Sequence, residues 1–144
     1  MRALWLACAL AIAILPGCAV NREGASVSPD ADLSQIRKFH VVRFAPDERG
    51  IEAVIAGALR KRGLEASSGG EDAAPRDVQA LVTYQDRWRW DITMYMLELK
   101  IYVREPQTGR LLAMGSSHHT SLSRRTPEEM ASEVLANIFK EARK

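Results

Sequence analysis

Cysteine is nearly absent: two residues in 144, Cys8 and Cys18, both within the first eighteen positions. The rest of the chain has no disulfide, free thiol or Cys-based metal site and must be held by its core. Neither sign of charge dominates, with 20 Lys+Arg against 18 Asp+Glu and a formal charge of +2. Dedicated nucleic-acid binders carry a larger basic excess, so that partner is excluded. The uncharged run from Ala3 to Leu15 falls short of the roughly 20 apolar residues that span a bilayer. There is no Gly-rich phosphate loop, no H-E-x-x-H and no G-x-S-x-G nucleophile elbow. What remains is ordinary globular material, 47% hydrophobic and 26% charged, in a length that suits one domain.

The beginning of the chain reads as an address. Met1-Arg2 is a short basic start, Ala3–Leu15 has the length of a signal-peptide apolar region, and Leu15-Pro16-Gly17-Cys18 follows at once. That quartet resembles the lipobox of bacterial lipoproteins. The resemblance implies cleavage between Gly17 and Cys18 and acylation of Cys18 on its sulfur and its new amino terminus, with fatty chains such as palmitate. Several acyl chains at roughly 0.8 kcal/mol per buried methylene make a stable anchor. Ala19 after Cys18 implies, by the same resemblance, the outer membrane, with the domain facing the periplasm.

Residues 1–17 are therefore expected to be a signal peptide and 18–32 a lipidated cysteine with a flexible tether rich in Asn, Gly, Ser, Pro and Asp. Residues 33–144 are expected to form a single α+β domain. Ile36–Phe44 reads as a strand. Ile51, Val54, Ile55, Ala58 and Leu59 lie on one helical stripe that ends in Arg60-Lys61-Arg62-Gly63. Leu64–Ala66 suits a short strand, and Ser67–Pro75 a loop. Asp77–Asp91 and Tyr95–Val103 both alternate, but one strand from Val78 to Arg104 would extend about 90 Å. The chain must reverse between Arg87 and Met94, although neither Gly nor Pro marks the place.

Pro106-Gln107-Thr108-Gly109 predicts a hairpin turn, followed by a strand over Arg110–Leu122. Thr126-Pro127-Glu128-Glu129 predicts a capping box opening a last helix with Ala131, Val134, Leu135, Ile138, Phe139 and Ala142 on one stripe. The order is β-α-(β)-β-β-β-α, an antiparallel sheet of four to five strands with two helices on one face. This layout resembles the small envelope lipoproteins that serve as auxiliary subunits of lipid-transporting ABC systems or in lipopolysaccharide assembly. The resemblance covers residues 18–144 but carries over no residue except Cys18.

Three groups of residues merit chemical attention. Arg87-Trp88-Arg89-Trp90 is the candidate partner-binding stretch, because Trp and Arg are enriched at binding hot spots. The competing reading makes the Trp parity core and the Arg parity solvated surface. His118 and His119 are neighbours and would point to opposite faces of a strand, which argues against a shared ion. If Glu105 pairs with Arg110, continuous pairing sets His118 opposite Leu97 on the apolar face and His119 opposite Met96. Ser116 and Ser117 beside them lack the geometry of a nucleophile–base pair. Tyr95, Met94 and Met96 suit an apolar groove, and Arg124-Arg125 suits anionic headgroups.

No catalytic or metal-binding residue and no cofactor is expected. The reading is a lipid-anchored, non-enzymatic adaptor or stabilising subunit of an envelope assembly or transport complex. Its expected partners are the membrane and another envelope protein. Two alternatives are an amphiphile carrier with a cavity between helices and sheet, and an envelope hydrolase in which His119, Glu98 or Asp86 converge.

Overall fold

A computed structural model describes residues 21–144. Six strands form one mixed sheet in the order β1-β6-β5-β4-β2-β3. They are β1 (Arg22–Val27), β2 (Lys38–Val42), β3 (Glu65–Gly69), β4 (Ala80–Asp91), β5 (Thr93–Arg104) and β6 (Leu111–His118). Two helices, α1 (Ile51–Lys61) and α2 (Pro127–Glu141), pack on each other and on the sheet.

The α+β class and the helix pair agree with the sequence pattern, but the sheet departs from it in two ways. It is mixed: β2 runs parallel to both β3 and β4. The β2–α1–β3 crossover explains the first of these pairings, because a helix between two neighbouring strands returns the chain in the same direction. The sheet also gains a strand where a tether was expected. Arg22–Val27 pairs antiparallel with β6 along its whole length. Its polar, Gly-containing sequence suits an edge strand whose other side faces water, and that composition hid it.

Each helix is explained locally. The α1 stripe buries Ile51, Ile55, Ala58 and Leu59, and its first turn is capped from outside by Asp47. The Asp47 carboxylate accepts from the backbone N–H of Ile51 and of Arg49, both at 2.6 Å. At α2 the predicted capping box is formed: Glu129 N donates to Thr126 Oγ1 (3.2 Å), and Thr126 N donates to Glu129 Oε2 (2.8 Å). Helix α2 lies so close to β6 that a Cβ on Gly115 would come within 2.9 Å of Val134 and Ile138 side-chain atoms. The layer between helices and sheet is filled by Ile55, Leu59, Leu99, Ile101, Val134, Leu135 and Ile138, none with any exposure. Each such side chain contributes about 1.5–3 kcal/mol by leaving water.

Two bulges correct the expected strand register. Glu105 N does donate to Arg110 O at 2.9 Å, as the hairpin predicted. One residue further along, Arg104 pairs with Leu111 but Val103 pairs with Ala113, so Leu112 is inserted in β6. A slip of one residue exchanges the faces of everything beyond it. His118 consequently opposes Glu98, and His119 turns into the buried layer. The second bulge inserts Leu97 in β5, because Arg87 pairs with Glu98 but Trp88 pairs with Met96. It returns Met96, 1% exposed, to the core side.

Candidate functional site

The β4–β5 ribbon continues beyond the helices and reverses at Asp91-Ile92-Thr93. Ile92 sits at the tip with φ +62°. A β-branched residue pays roughly 1–2 kcal/mol for that left-handed backbone, which Gly would take freely. This explains why the reversal carried no turn signal. Ile92 is 86% exposed, its ribbon neighbours Trp90 and Met94 are 69% and 47% exposed, and Leu122 in the loop before α2 is 86% exposed. Trp90 and Met94 are cross-strand partners.

The loop and the tip are tied together. Arg124 donates to Thr93 Oγ1 (2.5 Å) and to the Asp91 carbonyl (2.6 Å), and its guanidinium lies 4.6 Å from the Tyr95 ring centre. Ser123 Oγ donates to Asn21 Oδ1 (2.5 Å), which brings the first described residue to the same end. Arg22, the start of β1, pairs with His118, which in turn pairs with Glu98, the partner of Arg87. The apolar tip and the start of β1 therefore lie toward the same end of the sheet.

The four residues of the expected partner-binding stretch separate. Arg87 is paired with Glu98 at 3.3 Å, and Arg89 is exposed opposite Tyr95. Trp88 is half-buried against the core, with its indole N–H donating to Asp86 (2.5 Å) and Arg49 stacked 4.4 Å from its ring centre. Only Trp90 is offered to solvent as a large apolar surface. Of the three residues expected at an apolar groove, only Met94 is exposed at the tip, while Tyr95 and Met96 are buried; Ile92 and Leu122 are companions that sequence reasoning missed, the one signal being the run of large apolar residues across a place where a turn had to fall. Arg125 pairs with Glu129 at 3.9 Å, leaving Arg124 as the cation that organises the tip. Gly17 and Cys18 lie outside the described residues.

The polar residues proposed for a hydrolase do not converge. Glu98 contacts Arg87 and Lys100 and shares its face with its strand partner His118. His119, 2% exposed, faces the helix side instead, with Nε2 2.8 Å from Glu133 Oε2. Ser117 Oγ donates to the same oxygen at 2.7 Å. Glu23, on β1, completes this group: the side-chain oxygens of Glu23 and Glu133 and a ring nitrogen of His119 lie within 4.8 Å of one another. Its contact with Glu133, then burial, raises the Glu23 carboxyl above the usual range. Burial acts to raise Glu133 as well, but the hydrogen bonds from Glu23, Ser117 and His119 outweigh it and hold Glu133 low. Glu133 and Glu23 were not singled out from the sequence, because they join His119 only through the bulge and the unexpected strand.

The third histidine is spent on structure. His40, fully buried, contacts Ser67 Oγ through Nδ1 (2.8 Å) and the Gly70 carbonyl through Nε2 (2.9 Å). A carbonyl only accepts, so Nε2 carries the proton. A second polar group gathers at the start of α1 around the buried Tyr84 and Glu52, where Tyr84 Oη donates to Asp47 (2.7 Å) and Arg43 Nε donates to Glu52 (2.8 Å). Burial, then the Asp47 carboxylate, push the Tyr84 hydroxyl far above its ordinary value.

No family model matches the sequence, and no curated protein matches it. Solved structures share the fold. A point variant of the PelC dodecamer from Paraburkholderia phytofirmans superposes with a TM-score of 0.59 at 16% identity, covering 85% of this chain and 97% of that one. A second crystal form of the PelC dodecamer from the same organism gives 0.59 at 14% identity, covering 83% and 98%. At this identity the likeness is one of fold.

Proposed function

We propose that this chain is a lipid-anchored envelope protein that works as a non-enzymatic structural subunit, holding its β4–β5 tip against the membrane. One observation carries the reading: Trp90, Ile92, Met94 and Leu122 are exposed at the end of the sheet where Asn21 enters it. Cys18 lies three residues before Asn21, a reach of at most about 10 Å. If Cys18 carries the acyl anchor, the tip cannot stand far from the lipid. Trp and aliphatic side chains at such a place suit the headgroup boundary, and Arg22 and Arg89 nearby suit anionic lipid.

The short link between anchor and sheet also argues for a fixed orientation. A flexible tether would let the domain search for distant partners; a strand that starts at Arg22 leaves little slack for that. The partner this implies is an envelope protein at the same membrane, with further copies of this chain as the simplest case. The dodecameric state of the PelC neighbours supports side-by-side assembly. The carrier alternative has less support, because the space between helices and sheet is occupied by packed side chains.

The test is to express the full chain in a bacterium with an outer membrane and recover it in mild detergent. Mass spectrometry should find an acylated Cys18 at the amino terminus, and the native mass should report an oligomer or a stoichiometric protein complex. Cys18→Ala should accumulate as uncleaved precursor. Normal cleavage of that variant overturns the anchor, and a lone monomer overturns the subunit role.

A further inference from the structure

We infer that Glu23, His119 and Glu133 form a binding site for a divalent transition-metal ion of the zinc type, clamping the edge strand β1 to β6 and α2. The three residues are far apart in sequence and come from three different segments: β1, the residue just after β6, and the second turn of α2. Each offers a ligand atom that zinc accepts, one imidazole nitrogen and two carboxylate oxygens, with water able to complete a fourth position.

Geometry and charge both point to a cation. The His119 backbone is fixed by its N–H donating to the Leu97 carbonyl at 2.9 Å, and its ring is buried with Nδ1 unpartnered among the described residues. Its Nε2 is aimed at the carboxylates rather than into the core. Among the described residues, no Lys or Arg forms a salt bridge with Glu23 or Glu133. Two carboxylates face each other here, with the His119 ring against Glu133 and the Asn137 amide donating to Glu23 Oε2 (3.3 Å). A divalent ion would neutralise the pair directly.

The fit requires little movement. Tetrahedral zinc with bonds near 2.0–2.1 Å sets its ligands about 3.3 Å apart. The His119–Glu133 contact, now 2.8 Å, would open slightly, and Glu23 would draw in from a ligand separation of at most 4.8 Å. Glu23 is exposed, so its side chain can turn without disturbing the core, and the ion has a way in from solvent. His118 is no rival ligand: it lies opposite Glu98 on the other face.

This site is independent of the membrane reading and is tested separately. The full chain, untagged and in detergent, is stripped with a chelator and titrated with zinc by calorimetry, then with cobalt(II) by visible absorption. One equivalent should bind, give the intense d–d bands of low-coordinate cobalt, and raise the melting temperature. Glu23→Gln, at an exposed position that leaves the fold intact, should weaken binding at least about tenfold. His119→Gln should weaken it further, while His118→Gln should bind as the parent does. Absence of saturable binding, or binding that Glu23→Gln and His119→Gln leave unchanged, would overturn the site.

Discussion

The middle of the sheet and the end of its longest ribbon are built from the same strands but obey different rules. Under the helices, Leu99 and Ile101 of β5 meet Val134, Leu135 and Ile138 with no exposure at all. A few residues further along, the same two strands carry Trp90, Ile92 and Met94 into solvent, with a β-branched residue in a left-handed turn. In the middle, apolar side chains stabilise the fold. At the tip they contribute little to it, and one of them strains the backbone. Large apolar residues kept where they do not help folding point to a contact outside the chain.

The contrast can be broken most sharply from the core side. Leu135→Ala should cost about 2–5 kcal/mol, read by urea unfolding, because the site is enclosed on all sides and cannot collapse freely. A loss under about 1 kcal/mol would mean that the helix layer is not the packed body described here.

A smaller effect is expected at the polar border of that core. Asp47 caps α1 and accepts from Tyr84. Burial raises its carboxyl, but the hydrogen bonds from Tyr84 and the backbone of Arg49 and Ile51 prevail and leave it below the usual carboxylate range. The unfolded state therefore takes up the proton first. The stability from this group is complete above the ordinary carboxylate range and is lost as pH falls through the lowered value. Asp47→Ala should cost about 1–2 kcal/mol at neutral pH. It should also flatten the acid limb of the stability–pH curve; an unchanged acid limb would show that the cap is not what titrates there.

At the tip the expected sign reverses. Ile92→Gly should raise stability by about 1 kcal/mol by relieving the left-handed strain. Trp90→Ala should leave it within about 0.5 kcal/mol. Combined in the non-acylated chain, the two should still reduce co-flotation with vesicles containing anionic lipid. If Trp90→Ala destabilises the fold as strongly as Leu135→Ala, the tip belongs to the core and the comparison fails.

Much of the fold was legible before any coordinates. Periodicities in Ile51–Leu59 and Ala131–Ala142 located both helices, the Thr126–Glu129 box located the start of the second, and Pro106–Gly109 located a hairpin. These signals are local: each depends on residues a few positions apart, where sequence distance and spatial distance coincide.

What escaped was non-local. The strand Arg22–Val27 looks like a linker, because an edge strand with one wet side needs little apolar content. The parallel pairing of β2 with β4 depends on where the crossover returns. The bulges at Leu112 and Leu97 leave no clear mark in composition, yet they decide which histidine meets Glu98 and which meets Glu133. Sequence alone determined both helices and every strand but Arg22–Val27, through propensity and periodicity over short windows. Only the tertiary structure decided which faces meet, because register is set by the whole sheet at once, and one inserted residue exchanges inside and outside for everything beyond it.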